Sequence, residues 1–143
     1  MTIAVDFDDT LNFHKYIGKK YNPNFKLISF LRKIKKDDDF FLVTARSGSD
    51  SNRSFISEFM NLHNLKPLGL YFTNREEKGP ILEQLAVDFL IDDNESQRNS
   101  SIEYGIDAYH PDDLIYAKDR KSEIKNYLQT SLSPGSNIGF FDI

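Results

Sequence analysis

Apolar side chains come in five short runs, and segments with helical periodicity separate each run from the next. The runs span four to six residues, which is typical of buried strands. Between them, apolar residues recur every three or four positions, as at Ile28 and Leu31. The predicted strands are Thr2–Phe7, Asp39–Thr44, Leu68–Phe72, Val87–Ile91 and Ile106–Tyr109, and the predicted helices are Pro23–Ile34, Ser49–Leu62, Glu77–Leu85, Glu95–Tyr104 and Asp112–Leu128.

The regular alternation predicts one α/β domain over residues 1–130, folded as a three-layer, Rossmann-like, doubly wound parallel sheet. Crossovers between parallel strands are right-handed, so every strand presents its carboxyl end at the same edge, where ligands bind. Residues 131–143 contain Pro134 and Gly135, and we predict a C-terminal tail with the composition of a mobile segment.

Polar and charged residues follow four of the predicted strands. Asp6 and Asp8 follow the first, Thr44, Ala45 and Arg46 end the second, Lys78 follows the third, and Asp92 and Asp93 follow the fourth. Carboxylates gathered at one edge repel each other unless a cation or a proton intervenes. Hard oxygen ligands in an open cluster suit Mg²⁺, and a lysine at a helix start suits a phosphate.

Four segments in residues 2–110 resemble, in order, the motifs of the haloacid dehalogenase (HAD) superfamily. They are AVDFDDTL at 4–11, FLVTAR at 41–46, Lys78 in REEKGPIL, and FLIDDNE at 89–95. Asp9 departs from the commonest form of the first motif, which has glycine there. Arg75 is the alternative to Lys78 in the third motif.

The resemblance implies strand order 3-2-1-4-5 and a Mg²⁺-dependent phosphatase that works through an aspartyl phosphate. Asp6 would be the nucleophile and a metal ligand. Asp8 would be the general acid and base, and would bind metal through its backbone carbonyl. Asp92 would bind the metal directly, and Asp93 would support the metal or its waters.

The resemblance also assigns the phosphate contacts. Thr44 and the Ala45 amide would hold the transferring oxygens, with Arg46 as a further substrate-binding residue. Lys78 would neutralise both the phosphate and the nucleophile, which allows one anion to attack another. Thr10 would only stabilise the turn.

Each position also has a simpler structural interpretation. Asp8 and Thr10 could form a turn after a strand, and Asp92 could cap a helix. Their joint occurrence at one predicted edge favours a functional site. The histidines His14, His63 and His110 lack metal-ligand spacing and are predicted to be structural, except that His14, like Tyr16, could contact substrate.

The connections between the motifs leave no room for a cap domain. Residues 12–38 and 47–77 are taken up by elements that the core itself needs. Because a cap excludes bulky substrates, its absence indicates an open site that admits a nucleotide or a nucleic-acid terminus, unless a partner covers it.

Charge is polarised along the chain, although the net charge is −4. Residues 11–36 contain eight Lys or Arg and no acid, ending in Lys33, Lys35 and Lys36. We expect this segment either to attract a polyanion or to be a solvated basic helix face.

Composition excludes several other classes. The chain of 143 residues has no cysteine, so disulfide and thiol chemistry are excluded. We find no secretory signal pattern and no apolar run of membrane-spanning length, and we expect a cytoplasmic protein. An oligomer is possible, but nothing in the sequence indicates one.

Three alternatives to a hydrolase remain. A phospho-receiver domain also has paired acids after its first strand, but it needs an acid after its third, where this chain has Phe72-Thr73-Asn74. A catalytically silent HAD-like binding protein would lack a catalytic side chain, and every expected one is present. Phosphotransfer to an acceptor other than water is the third alternative.

Overall fold

Strands and helices alternate through the computed structural model, which describes residues 1–14, 18–34 and 38–116. The strands are β1 (Thr2–Val5), β2 (Asp39–Thr44), β3 (Leu70–Phe72), β4 (Phe89–Ile91) and β5 (Asp107–Tyr109), and the helices are α1 (Phe25–Ile34), α2 (Asp50–Leu62), α3 (Gly79–Leu85), α4 (Glu95–Glu103) and α5 (Pro111–Tyr116). Tyr16, Lys35, Lys36, the rest of the last predicted helix, the boundary at residue 130 and the tail 131–143 lie outside the described residues.

The five strands form one parallel sheet in the order β3-β2-β1-β4-β5, which confirms the predicted fold class and strand order. In register, Val5 of β1 lies between Leu42 of β2 and Ile91 of β4. The chain segments that follow β1, β2 and β4 therefore leave the sheet side by side. Since strand order reverses at β1, this edge is the expected ligand site of such a sheet.

Helices cover both faces of the sheet, and each face has its own apolar core. One core joins α1, α2 and α5 to the sheet through buried residues such as Leu31, Phe59 and Leu114. The other joins α3 to it through Leu82 and its neighbours. The chain runs from β1 to β2 and from β2 to β3 in one direction across the sheet, and right-handed crossovers therefore place α1 and α2 on the same face. The next connection runs back past β1 to β4, so the same handedness places α3 on the opposite face.

The loop after β1 is a tight turn, which ends the strand two residues before the predicted Phe7. The carbonyl oxygen of Phe7 accepts hydrogen bonds from the amides of Thr10 (3.3 Å), Leu11 (2.9 Å) and Asn12 (3.1 Å). Asp9 has a φ of 59°, in the left-handed region. Glycine adopts this region without strain, which gives a physical reason for glycine at this position in the family that the sequence resembles.

Within the described ranges, no helix has both the length and the apolar character needed to cross a membrane. Between β1 and β2, and again between β2 and β3, the described residues contain one helix each.

The start of α3 packs tightly on α4. A Cβ added to Gly79 would clash with Cδ1 of Tyr104 and would lie 2.7 Å from Oγ of Ser100. The Gly79 amide donates a 3.0 Å hydrogen bond to that same Ser100 oxygen. A side chain at residue 79 would therefore push apart the two helices that hold Lys78.

We expect Gly79→Ala to lower the free energy of unfolding by about 1–3 kcal/mol, the usual cost of overpacking. Urea denaturation measures this loss. Adding Tyr104→Ala should recover part of it, because the ring that clashes is then gone. If Gly79→Ala were as stable as the unaltered protein, the close packing of α3 on α4 would be incorrect.

Candidate active site

The centre of the site is a buried ion cluster around Lys78. Its ammonium nitrogen Nζ lies 2.7 Å from Asp6 Oδ1 and 2.6 Å from Asp92 Oδ2. The Lys78 side chain is only 1% exposed. Burial alone would lower the pKa of this ammonium, but the two carboxylates outweigh burial and raise the pKa. Lys78 is therefore a buried cation between Asp6, the predicted nucleophile, and Asp92, a predicted metal ligand.

Three separate elements bring these groups together. Asp6 directly follows β1, Asp92 directly follows β4, and the two strands are paired neighbours. Lys78 immediately precedes α3, where its own amide donates to Gln97 Oε1 of α4 at 2.8 Å. Asp92 is also held by the Asn94 amide, which donates to Oδ1 at 2.9 Å. The backbone of Lys78 is thus fixed on α4, while its side chain extends to Asp6 and Asp92 at the carboxyl edge of the sheet.

Asp93 joins Asp6 and Asp92 in an acid triad. One carboxylate oxygen from each residue lies within 4.8 Å of the corresponding oxygens of the other two. Burial, followed by the charge of Asp6, raises the pKa of Asp92 to about 7, against the opposing effect of Lys78. Burial and then Asp6 raise the pKa of Asp93 to about 6. The single positive charge of Lys78 does not neutralise the negative charge of three ionised carboxylates. The oxygen ligands of the triad therefore fit a hard divalent cation such as Mg²⁺.

Thr10 belongs to this cluster, although the sequence predicted only a turn residue. Its hydroxyl oxygen is fully buried and lies 2.9 Å from Asp6 Oδ2 and 3.1 Å from Asp93 Oδ1. The same oxygen accepts the Asp93 amide at 3.1 Å. Its single hydrogen can serve either carboxylate. The sequence signal for this role was only the closeness of Thr10 to Asp6, four residues apart in a tight turn.

Asp8 points away from the triad and toward Arg46. The guanidinium donates from Nε to Oδ2 and from Nη2 to Oδ1, both at 2.8 Å. Nε2 of His14 lies 2.5 Å from Asp8 Oδ1. Burial would raise the pKa of Asp8, but the hydrogen bonds and charge of Arg46, with a smaller effect of His14, lower it. The Asp8 carboxylate is therefore ionised and held by two basic side chains.

Arg46 itself is anchored by aromatic rings. Its guanidinium carbon lies 4.9 Å from the ring centroid of Phe55 and 5.5 Å from that of Phe7. Its Nη1 donates to Asn52 Oδ1 at 3.1 Å. The flat cation thus stacks on the core while its edge presents hydrogen bonds to Asp8.

The remaining predicted residues lie around these two groups. The Thr44 side chain is buried, and its hydroxyl oxygen accepts the Arg46 amide at 3.2 Å. Ala45 and Arg46 line a cavity beside Asp8. Arg75 lines that cavity too and, unlike Lys78, makes no ion pair with Asp6 among the described residues. Of these two basic residues, Lys78 is the one whose ammonium contacts Asp6.

The three histidines lie in different surroundings. His14 contacts Asp8 and so belongs to the site. His63 packs on the ring of Phe59 at 4.6 Å between centroids, and His110 Nδ1 accepts the Asp112 amide at 3.1 Å. These last two make only structural contacts among the described residues.

Neither a protein-family model nor a curated protein sequence matches this chain. Solved structures do. A chain of the Pnkp1/Rnl/Hen1 RNA repair complex is 15% identical with a TM-score of 0.61, and the match covers 76% of this protein and 41% of that chain. A chain of a Pnkp1/Rnl/Hen1 complex is 16% identical with a TM-score of 0.61, covering 76% and 45%. This protein spans less than half of those chains, and at such identity the likeness shows a shared fold.

The triad predicts a pH-dependent response to Mg²⁺. A carboxyl whose pKa is raised by folding stabilises the protein below its unfolded value of 3.8 and loses that contribution as pH rises through about 6 and 7. A cation that binds the ionised triad restores the stability that is lost as the pH rises. We therefore expect Mg²⁺ to raise Tm clearly at about pH 8 and little near pH 5.

Thermal unfolding at several Mg²⁺ concentrations measures this response. Asp92→Asn should abolish it. Asp39→Asn should preserve it, because Asp39 is an exposed aspartate at the start of β2, at the opposite edge of the sheet. A rise in Tm that was equal at both pH values, or that persisted in Asp92→Asn, would place the bound cation elsewhere.

Proposed function

We propose that this protein is a Mg²⁺-dependent phosphohydrolase of the HAD type that forms an aspartyl phosphate on Asp6. The observation that carries the proposal is the buried Lys78 ammonium shared by Asp6 and Asp92. A carboxylate can attack an anionic phosphate only where positive charge offsets both. An acid triad with a buried ammonium beside it at the carboxyl edge of a parallel sheet meets that requirement.

The first step transfers the phosphoryl group to the protein. An oxygen of Asp6 forms a bond to phosphorus, and the bond from phosphorus to the leaving oxygen breaks. Lys78 stabilises the attacking carboxylate and the charge on the phosphoryl oxygens. The Thr44 hydroxyl and the Ala45 amide bind those oxygens and orient the group in line with Asp6.

Asp8 acts as the general acid and then as the general base. In the first step it gives a proton to the leaving oxygen, and in the second it takes one from the water that attacks the aspartyl phosphate, which frees Asp6. In the structure, Arg46 hydrogen-bonds to Asp8 through two nitrogens and favours its ionised form. The acid role therefore requires Arg46 to transfer hydrogen bonds from Asp8 to the incoming phosphate, which is a good bidentate partner for a guanidinium.

Mg²⁺ would be held by Asp6, Asp92 and Asp93, with the Asp8 backbone carbonyl as a further ligand. When bound, it supplies charge neutralisation at the phosphoryl oxygens and at the acid triad. Thr10 keeps Asp6 and Asp93 oriented through its hydroxyl.

Two observations support a nucleotide or a nucleic-acid terminus as the substrate. The fold is shared with chains from an RNA repair complex. Basic side chains precede and occupy α1, among them Lys19, Lys26 and Arg32 in the described part of the 11–36 segment. Such a concentration of positive charge favours polyanionic substrates over small neutral alcohols.

The strand order argues against a phospho-receiver domain. Receivers have the flavodoxin-like order 2-1-3-4-5, in which β3 pairs with β1. Here β3 pairs with β2. A catalytically silent binding protein and a phosphotransferase remain as alternatives, and turnover with water as acceptor separates them from a hydrolase.

Phosphate release tests the function. With Mg²⁺, we expect hydrolysis of p-nitrophenyl phosphate and of phosphorylated nucleotides or oligonucleotides. Asp6→Asn should lose about 10³-fold or more in kcat, since the covalent route is removed. The matched variant Asp39→Asn should retain full activity. Hydrolysis that persisted in Asp6→Asn would reject Asp6 as the nucleophile.

Lys78→Gln should impair both activity and folding. Removing the ammonium leaves two buried carboxylates without their partner, which typically costs about 3–5 kcal/mol. Loss of an electrostatic stabiliser should lower kcat by about 10²-fold or more. Urea denaturation in EDTA and steady-state kinetics in Mg²⁺ measure the two effects. A stability change below about 1 kcal/mol would contradict a buried ion cluster.

A further inference from the structure

A cavity of about 710 Å³ opens beside Asp8. It lies between the loop after β2, the start of α2 and the loop after β3. Among residues 1–14, 18–34 and 38–116, six polar ones line it, namely Asp8, Arg46, Ser47, Asn52, Asn74 and Arg75, and Ala45 adds one apolar side chain. The volume is typical of sites that hold a small organic molecule. Neither the sequence motifs nor the phosphoryl-transfer step accounts for Asn74 and Arg75.

The backbone that carries these two residues is unusual. Asn74 has a φ of 51° and Arg75 a φ of 65°, both in the left-handed region. Asparagine tolerates this region, but arginine rarely adopts it, because its Cβ then lies too close to the following carbonyl oxygen. Glycine would adopt it without strain. A long cationic side chain in this conformation is typical of a functional site.

The loop is held firmly against the catalytic segment. The Asn74 amide donates to the Arg46 carbonyl at 3.2 Å, and the Arg75 amide donates to the Ala45 carbonyl at 2.7 Å. The preceding Thr73 amide donates to the Thr44 carbonyl at 2.9 Å. Both polar side chains are therefore presented from a backbone whose position relative to Asp8 and Arg46 is fixed.

The hydrogen-bonding capacity of these two side chains is unused. Across residues 1–14, 18–34 and 38–116, neither the Arg75 guanidinium nor the Asn74 amide group has a hydrogen-bond or ion-pair partner. By contrast, Arg46 and Asn52 are engaged with Asp8, with Ser47 and with each other. The unused donors of Asn74 and Arg75 lie on the β3 side of the cavity.

The position relative to Asp8 identifies what the cavity would receive, an inference that rests on the proposed function. Asp8 lines the cavity, whereas Asp6 does not. The group that protonates the leaving oxygen faces the leaving group, so the leaving group occupies the cavity. None of its lining residues in the described part of the chain is aromatic, so these residues offer no surface on which a base would stack. A guanidinium beside an amide suits a phosphate instead.

We propose that this cavity is a leaving-group subsite in which Arg75 and Asn74 bind a second phosphate of the substrate. The preferred substrate then carries the phosphate that is cleaved and another phosphate on the alcohol that departs. Two kinds of molecule have this chemistry: a nucleoside 3′,5′-bisphosphate, and an oligonucleotide whose terminal phosphate is followed by a phosphodiester.

Steady-state kinetics on the full chain test the subsite. The substrates are adenosine 3′- and 5′-monophosphate, adenosine 3′,5′-bisphosphate, and dinucleotides phosphorylated at either end. We expect kcat/KM for the substrates with a second phosphate to exceed that for the matching monophosphate by about 10-fold or more. Preference for a phosphorylated dinucleotide over the bisphosphate would identify a nucleic-acid end as the source.

Three variants test whether the preference for substrates with a second phosphate depends on Arg75 and Asn74. Arg75→Gln should reduce the preference about 10-fold, mainly through KM for the substrates with a second phosphate. Asn74→Gly, which keeps the left-handed backbone and removes only the amide, should reduce it about threefold. Lys66→Gln removes an equal charge from an exposed residue before β3, at the opposite edge of the sheet, and should leave the preference intact.

Binding to Asp6→Asn, measured by calorimetry with the same bisphosphate and monophosphate, separates this inference from the proposed function. If the unaltered protein showed Asp6-dependent hydrolysis without preference, the subsite would be wrong and the phosphatase correct. If no substrate were hydrolysed but Asp6→Asn bound the bisphosphate more tightly, through Arg75, the subsite would stand without the phosphatase. If Arg75→Gln lowered kcat/KM equally for all substrates, the subsite would be overturned, because an equal loss indicates that Arg75 has a structural role.

Discussion

The buried ammonium of Lys78 is the constraint on which the rest of the site depends. It needs Asp6 and Asp92 within hydrogen-bond distance, which requires β1 and β4 to be paired neighbours. It also needs α3 to begin at the same sheet edge, close against α4. An unpaired charge at this depth would cost several kcal/mol. The sheet order, the helix contact and the acid cluster are therefore energetically coupled.

The site has a closed side and an open side with different electrostatics. On the closed side, three carboxylates share one buried ammonium, and the excess negative charge raises the pKa of Asp92 and Asp93. On the open side, Arg46 and His14 contact a single carboxylate, and the hydrogen bonds and charge of Arg46 lower the pKa of Asp8 against the effect of burial. The closed side suits a cation and the open side suits an anion. A phosphate ester bound with its metal ion matches that division.

Much of the fold follows from local pattern. Short apolar runs that alternate with helical periodicity have few arrangements other than a parallel sheet covered on both faces. The strand order came from the resemblance of the motifs, and pairing of β1 with both β2 and β4 confirms it. Element ends were less predictable. β1 ends at Val5 because Phe7 turns its carbonyl toward three amides of the following loop, a contact that apolar pattern does not encode.

By itself, the sequence determined which residues reach the carboxyl edge of the sheet, because each acid, Thr44 and Lys78 lies next to an element whose type the apolar pattern shows. Only the tertiary structure decided which of them touch. Lys78 rather than Arg75 reaches Asp6, Thr10 bonds to two carboxylates, and Asp8 turns to Arg46. Those choices depend on side-chain direction, burial and the sum of charges from several strands. Such quantities exist only once distant segments have packed together.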